Sequence, residues 1–441
     1  MRSVRDLRVH SVTASSLMLL LISCVAYGQA TSTATELSGT LAKFGVTGSQ
    51  RFSAAQIEAA AGLKPGQAIR KEDLQAAADR LAQSGVFANV QFRFATEGKD
   101  VTVEFQVSEA RTIGISFDNF PWFTDDELVT SLKASIPVFD TQLPEAGGVL
   151  DEVSQALEKI LPTRNVSGAV SHKVVREPGT DAKIQQFRVD GAALTVEAIE
   201  FDDPLARDDL AVRQSARDVI LGKPYSRAVI ERFDFEQVRP LYLAHACLRV
   251  HFGEPMARFK GDPTKALPDH VTAIVTIDSG PEYRWAGVTW SGNSALSNAE
   301  LNSFVQLKDG DMANGVGLEA AWVRISDAYA NRGYLDAKLD PTAALDDSTK
   351  RAAYRVAITE GPQYHMGELV LTGLSLDGER RIRAAWKIPA GAVFDQSALD
   401  DFIDVGARRS FDDIPFNYEK IGHYLQKDPS TGKVDVLMDF Q

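Results

Sequence analysis

Two short junctions constrain this chain more than any other feature. Ser279-Gly280-Pro281-Glu282-Tyr283 and Glu360-Gly361-Pro362-Gln363-Tyr364 share the order Gly-Pro-x-Tyr and lie about one small domain apart. Each closes an apolar alternating run and hands over to the next. A chain punctuated in this way reads as an array of similar small units rather than one large core. The stretch from Trp285 to Pro362 is the clearest unit. Trp285 to Trp290 alternates as a strand and is closed by Ser291-Gly292-Asn293. A helix follows from Ser297 to Leu307, then the loop Lys308-Asp309-Gly310-Asp311. A second helix runs from about Gly317 to Asn331 and ends in Arg332-Gly333-Tyr334-Leu335. An extended run to Leu339, a polar turn at Asp346 to Lys350 and a last strand from Ala353 to Ile358 complete it. The order is strand, helix, helix, strand, strand.

The same order recurs with variations. In the first unit, Ser53-Ala54-Ala55-Gln56 is a capping box, since Ser and Gln three apart satisfy each other's main-chain donors. Its second helix, Lys71 to Ser84, places Leu74, Ala77, Ala78 and Leu81 on one face. Gly85-Val86-Phe87 ends it, and Val90, Phe92 and Phe94 then alternate with polar residues. The second unit diverges most. Thr124 to Glu127 again fits a capping box, a helix spans about Leu150 to Leu161, and Asn165 stands near where glycine is expected. In the third, Pro240 falls inside the second helix and should kink or shorten it, and Ala246-Cys247-Leu248 replaces Gly-Tyr-Leu. The fifth has helices at Leu376 to Trp386 and Gln396 to Ala407, then a hairpin of Pro415 to Leu425 and Val434 to Phe440.

The element order, the ending Asn331-Arg332-Gly333-Tyr334-Leu335 and the Glu-Gly-Pro junction together resemble a POTRA domain, the periplasmic module in front of outer-membrane barrel-assembly and secretion proteins. The resemblance implies an α+β chain: a tandem array of five POTRA-like β-α-α-β-β domains, each a three-stranded sheet covered by two helices. The expected divisions are 1–30 as a signal peptide, 31–38 as a linker, and units at 39–110, 111–191, 192–282, 283–364 and 365–441. In the family a long transmembrane barrel normally follows the last unit. Here the run to Phe440 reads as the last strand of unit five, so the expectation is the periplasmic arm without the pore, and insertase activity is not carried over.

The N-terminus reads as an export signal. Arg2, Arg5 and Arg8 precede the short apolar run Leu17 to Ile22. Two processing sites compete: Gly28-Gln29-Ala30 suits ordinary signal peptidase, and Leu21-Ile22-Ser23-Cys24 resembles a lipobox that would leave Cys24 lipidated. The expected place is the periplasm, or the periplasmic face of the outer membrane, of a Gram-negative-type bacterium. The formal charge of -13 disfavours nucleic acid and anionic headgroups, whose phosphates need Lys/Arg clusters. Any membrane contact is expected to be indirect or through Cys24.

Catalytic signals are scarce. No Gly-x-Ser-x-Gly elbow, Walker loop or His-Glu-x-x-His is present, and no enzyme activity or cofactor is expected. His245, Cys247 and His251 lie close in sequence, but structural zinc usually needs four closely set ligands, so no metal is expected. Asp202-Asp203 and Asp412-Asp413 read as solvated loop carboxylates, and Trp285 and Trp290 as core or junction residues. What such units offer is main chain at a sheet edge, to which an extended peptide can add a strand. By resemblance, the docking edge is the strand after the second helix. That is Arg249 to Glu254 in unit three (Arg249, Val250, His251, Phe252) and Leu335 to Asp340 in unit four (Leu335, Asp336, Ala337, Lys338, Leu339). The expected role is an interaction scaffold in outer-membrane protein assembly or secretion. Its partners would be outer-membrane proteins, or a separate barrel or lipoprotein. The alternatives are a soluble periplasmic enzyme or ligand-binding protein, or a lipid-anchored tether.

Overall fold

The computed structural model describes residues 38–177, 179–191, 194–259, 270–411 and 420–441. The signal segment, Cys24, Asp412-Asp413 and the expected strand start at Pro415 lie outside the described residues. The described chain is a tandem series of small α+β units, as its sequence suggests. In each of five sheets the first strand pairs in parallel with the last, and the last pairs antiparallel with the strand after the second helix. A parallel pair needs a crossover, which the two helices supply. In unit four the strands are Arg284–Ser291, Lys338–Asp346 and Arg351–Thr359, and the helices are Asn298–Val305 and Gly315–Ala330.

Local sequence explains much of this. Ser53 with Gln56 and Thr124 with Glu127 form complete capping boxes. Leu74, Ala77, Ala78 and Leu81 are the buried face of the helix Lys71–Gln83. The second helix of each of the first four units ends on a left-handed residue: Gly85 (φ 76°), Asn165 (58°), Ala246 (60°) and Gly333 (81°). Glycine is at ease there, asparagine tolerates it, and alanine is strained.

Three features depart from the expected unit. First, the sheets of units one and two are four-stranded, because the interhelix segments Ala68–Arg70 and Gln142–Leu143 pair antiparallel with the first strand. Units three, four and five keep single bridges at the same place, Thr195–Pro224, Arg284–Met312 and His365–Val393. The start of every first strand is thus closed on its outer side. Second, unit three has an additional short helix, Pro204–Asp208, before Leu210–Val219. Third, its second helix, starting as Arg227–Phe233, passes through a π turn, Asp234–Val238, before Arg239–Ala244. The turn leaves Pro240 second in the renewed helix. Proline is not the cause, since unit five has the same π turn at Phe402–Gly406 without one. Asp234 is 1% exposed with no partner for either oxygen, and burial, then Glu231, pushes its carboxyl up to about 8.

The apolar cores are not confined to single units. One cluster runs continuously through units one and two. Trp122 of unit two packs on the core of unit three, Ala246 and Leu248 of unit three join that of unit four, and Leu335 of unit four joins that of unit five.

Candidate partner-binding edges

The strand after the second helix ends the strand order in every sheet, so among the described residues it is bound on one side only. Its length and character differ from unit to unit. In unit one it is Phe87–Glu97, free of proline and paired with Asp100–Glu109, with one register shift between Phe87 and Asn89. Its inward row is Val90, Phe92 and Phe94. Phe92 packs 5.7 Å from Phe105, which Phe44 also meets at 5.3 Å, while Phe94 is 41% exposed beyond them. This apolar row therefore stops half covered. Its one cross-strand ion pair, Arg93 with Glu104 at 2.7 Å, lies on the opposite, polar face.

The edges singled out by sequence are more interrupted. In unit four, Leu335, Asp336 and Ala337 precede the strand, and only Lys338 and Leu339 belong to it. Pro341 sits within it and offers no main-chain donor, a common way to blunt an edge. In unit three, Arg249 and Val250 also precede the strand. His251–Phe252 pairs with Ile277–Asp278, a bulge at Gly253 to Pro255 intervenes, and Met256–Phe259 resumes against His270–Val275.

Arg249 and Asp336 are instead parts of joints. They occupy the same place, three residues beyond Ala246 and Gly333. Arg249 reaches Asp347 in the hairpin turn of unit four at 2.9 Å. Asp336 is met by Lys427, beside the hairpin turn of unit five. Between them stand the junction tyrosines, Tyr283 and Tyr364, both fully buried. The amide of Tyr283 donates to Ala246, and its carbonyl accepts from Ala313. Tyr364 does the same with Gly333 and Phe394. Their hydroxyls donate to Asp347 and Asp336, respectively. Burial, then the carboxylate each hydroxyl faces, pushes both phenols up to about 12. Lys427 and then Tyr364 hold the Asp336 carboxyl below its ordinary range.

The other residues considered from sequence have structural places. Trp285 is buried and stacks on Tyr354, and Trp290 meets Trp322 edge-on. Asp203 accepts from Tyr242 and caps the short helix at Leu205, while Asp202 accepts from the amide of Ile277. Cys247 is buried, and its thiol faces the carbonyl of His245. Among the described residues no three His, Cys, Asp or Glu side chains are grouped to hold a metal ion. None of their helices is long and apolar enough to cross a membrane.

Residues 40–110 and 283–361 match the family model described as POTRA, surface antigen variable number repeat. Those two segments are thus similar to POTRA domains. Over 148 residues it is 28% identical to a protein of Treponema pallidum described as a putative outer membrane protein assembly factor. That match covers 34% of this chain and 18% of the relative. Solved structures with similarity include POTRA domains 3–5 of BamA from Haemophilus influenzae (15% identity, 56% of this chain, 96% of that one, TM-score 0.42). POTRA domains 1–3 of Omp85 from Anabaena also match (12% identity, 56% and 95% covered, TM-score 0.24). The two segments matched by the family model are units one and four, both of which open their first helix with a complete capping box.

Proposed function

We propose that this chain is a periplasmic protein-interaction scaffold serving outer-membrane protein assembly or secretion, and that it acts by binding rather than catalysis. One observation carries the reading: among the described residues, each unit leaves the strand after its second helix bound on one side only. The POTRA match and the description of the Treponema relative support the setting. An extended client segment, from an outer-membrane protein or from a separate barrel or lipoprotein partner, would add main-chain hydrogen bonds at such an edge, with loose sequence demands. The division into five units fits this use, since each supplies one edge. Unit one offers the longest of these edge strands, Phe87–Glu97, without proline, and a strand added there would extend the half-covered row Val90, Phe92, Phe94. His251, Phe252, Lys338 and Leu339 remain edge positions in units three and four, the latter blunted by Pro341.

Photo-crosslinking in intact cells tests the reading. A photoreactive residue replaces Arg93, His251 or Lys338, with Glu72 on a helix of unit one as control. Adducts with outer-membrane proteins or their assembly partners at an edge, and none at Glu72, are the expected result. Edge positions that capture no envelope protein, or no more than Glu72 does, would sink strand addition.

A further inference from the structure

Unit three has a second open edge, on the opposite side of its sheet. The strand Thr195–Phe201 pairs with His270–Val275 on one side. On the other, its start is closed: the Val196 amide donates to Lys223, and the amide of Gly222 donates back to Val196. From Ala198 to Phe201 that side has no main-chain partner among the described residues. The additional short helix shapes what lies beside it. Asp203 caps Pro204–Asp208 and Asp209 caps Leu210–Val219, each accepting an amide at 2.8 Å, and Ala206 of the first helix is wholly buried. A cleft of about 400 Å³ opens between this helical elbow and the bare strand.

The cleft has an apolar floor, which includes Ala198, Ile199 and Ala216, and an arginine rim of Arg207, Arg213 and Arg217. Arg207 faces Asp208 at 3.4 Å, and Arg213 donates to the carbonyl of Asp208. The Arg217 side chain has no hydrogen bond or ion pair among the described residues. The lining acids are Asp208 and Glu197, so three cations stand against two anions in a chain whose net charge is -13. Guanidinium groups beside a bare strand make a specific demand. The fork geometry favours carboxylates, and the unpaired main chain favours a peptide over a free phosphate or a nucleic acid.

We propose that this cleft binds an extended, carboxylate-bearing protein segment. The segment's main chain continues the sheet beyond Ala198 to Phe201, a reach of about 13 Å. Its apolar side chains fill the floor, and its acids meet Arg213 and Arg217. The surface is distinct from the edge after the second helix, which in this unit is Met256–Phe259 across the sheet.

The test uses the full chain and a fluorescein-labelled octapeptide alternating valine and glutamate, with a valine–lysine counterpart, followed by fluorescence anisotropy. The expected result is at least tenfold tighter binding of the acidic peptide, weakened by added salt. The double variant Arg213→Glu/Arg217→Glu should lose tenfold or more while its circular dichroism is unchanged, because both side chains are exposed. Phe94→Asp, on the unit-one edge, should leave this binding intact. Equal affinity for both peptides, or no loss in the arginine variant, overturns the proposal. Loss in Phe94→Asp alone assigns the peptide to unit one and likewise overturns it, leaving strand addition there standing.

Discussion

The joint between units three and four and the joint between units four and five share one main-chain design and carry opposite charges. In both, a buried tyrosine ties the end of one unit's second helix to the interhelix loop of the next. In the first joint the cation, Arg249, belongs to the earlier unit and the anion, Asp347, to the later hairpin. In the second, the anion is Asp336 of the earlier unit and the cation is Lys427 of the later one. The tyrosine hydroxyl follows the acid, donating forward to Asp347 in one case and back to Asp336 in the other. What the two joints share is the buried ring and its main-chain bonds. What they exchange is half exposed. Burial should therefore dominate the energetics, and charge should set only which partner fits.

Removing the ring tests the shared part. Tyr283→Ala and Tyr364→Ala should each cost about 3–5 kcal/mol, because a fully buried aromatic leaves a cavity and a carboxylate without its donor. Calorimetric unfolding and limited proteolysis at the affected joint would measure it. Costs below about 1 kcal/mol would mean that the tyrosines do not hold the joints. The tyrosines also predict a common alkaline response. Both phenols are raised from 10.0 to about 12, so the stability they confer is complete below pH 10 and lost as pH rises through 12. The acid side differs. The Asp336 carboxyl is lowered below 3.8, so its contribution to the second joint is present above that pH and lost as pH falls through the lowered value.

The helix ends provide the next test. Ala246 and Gly333 occupy the same left-handed position, but only alanine carries a Cβ there. Ala246→Gly should gain about 1 kcal/mol if relief of strain exceeds the lost entropy and packing. Gly333→Ala should lose roughly 1–3 kcal/mol, since the residue is left-handed and the new methyl would press on the carbonyl oxygen of Tyr364 and on the Val393 side chain. Denaturant midpoints on matched samples compare them. If Ala246→Gly destabilises, packing of the methyl in the joint outweighs its backbone strain.

How much of this was legible in the sequence depends on the range of the signal. The capping boxes at Ser53 and Thr124, the buried face of Lys71–Gln83 and the Gly-Pro-x-Tyr junctions are local patterns, and the structure carries them as written. Asn165 in the place of a glycine was readable for the same reason, because the requirement sits in one residue's φ. The short helix Pro204–Asp208 does have a local signal: Asp203-Pro204 is a cap followed by proline in the first helical turn. The interhelix bridges are contacts of one to three residues with no periodicity to detect. The π turns share no proline that would announce them, since the one at Phe402 has none. In sequence Arg249 and Leu335 look like strand starts, and only packing against the next unit shows them to be joint residues.

Exchanging the charges isolates the smallest effect and tests the comparison most directly. Arg249→Asp alone would place a second carboxylate beside Asp347, next to Tyr283, and should weaken the joint by about 1 kcal/mol or less, given the exposure of both partners. Arg249→Asp with Asp347→Lys would give the first joint the polarity of the second. Tyr283 could then donate backward, as Tyr364 does, and most of the loss should return. A double-mutant cycle from chemical denaturation at low and high salt measures the coupling, which should shrink as salt screens the pair. Recovery in the double variant would show that the tyrosine tolerates either polarity and that charge acts as a key to which units can be neighbours. A double variant as weak as the single would show that the hairpin of unit four is shaped for an acid at 347, and that the two joints are alike only in their backbones.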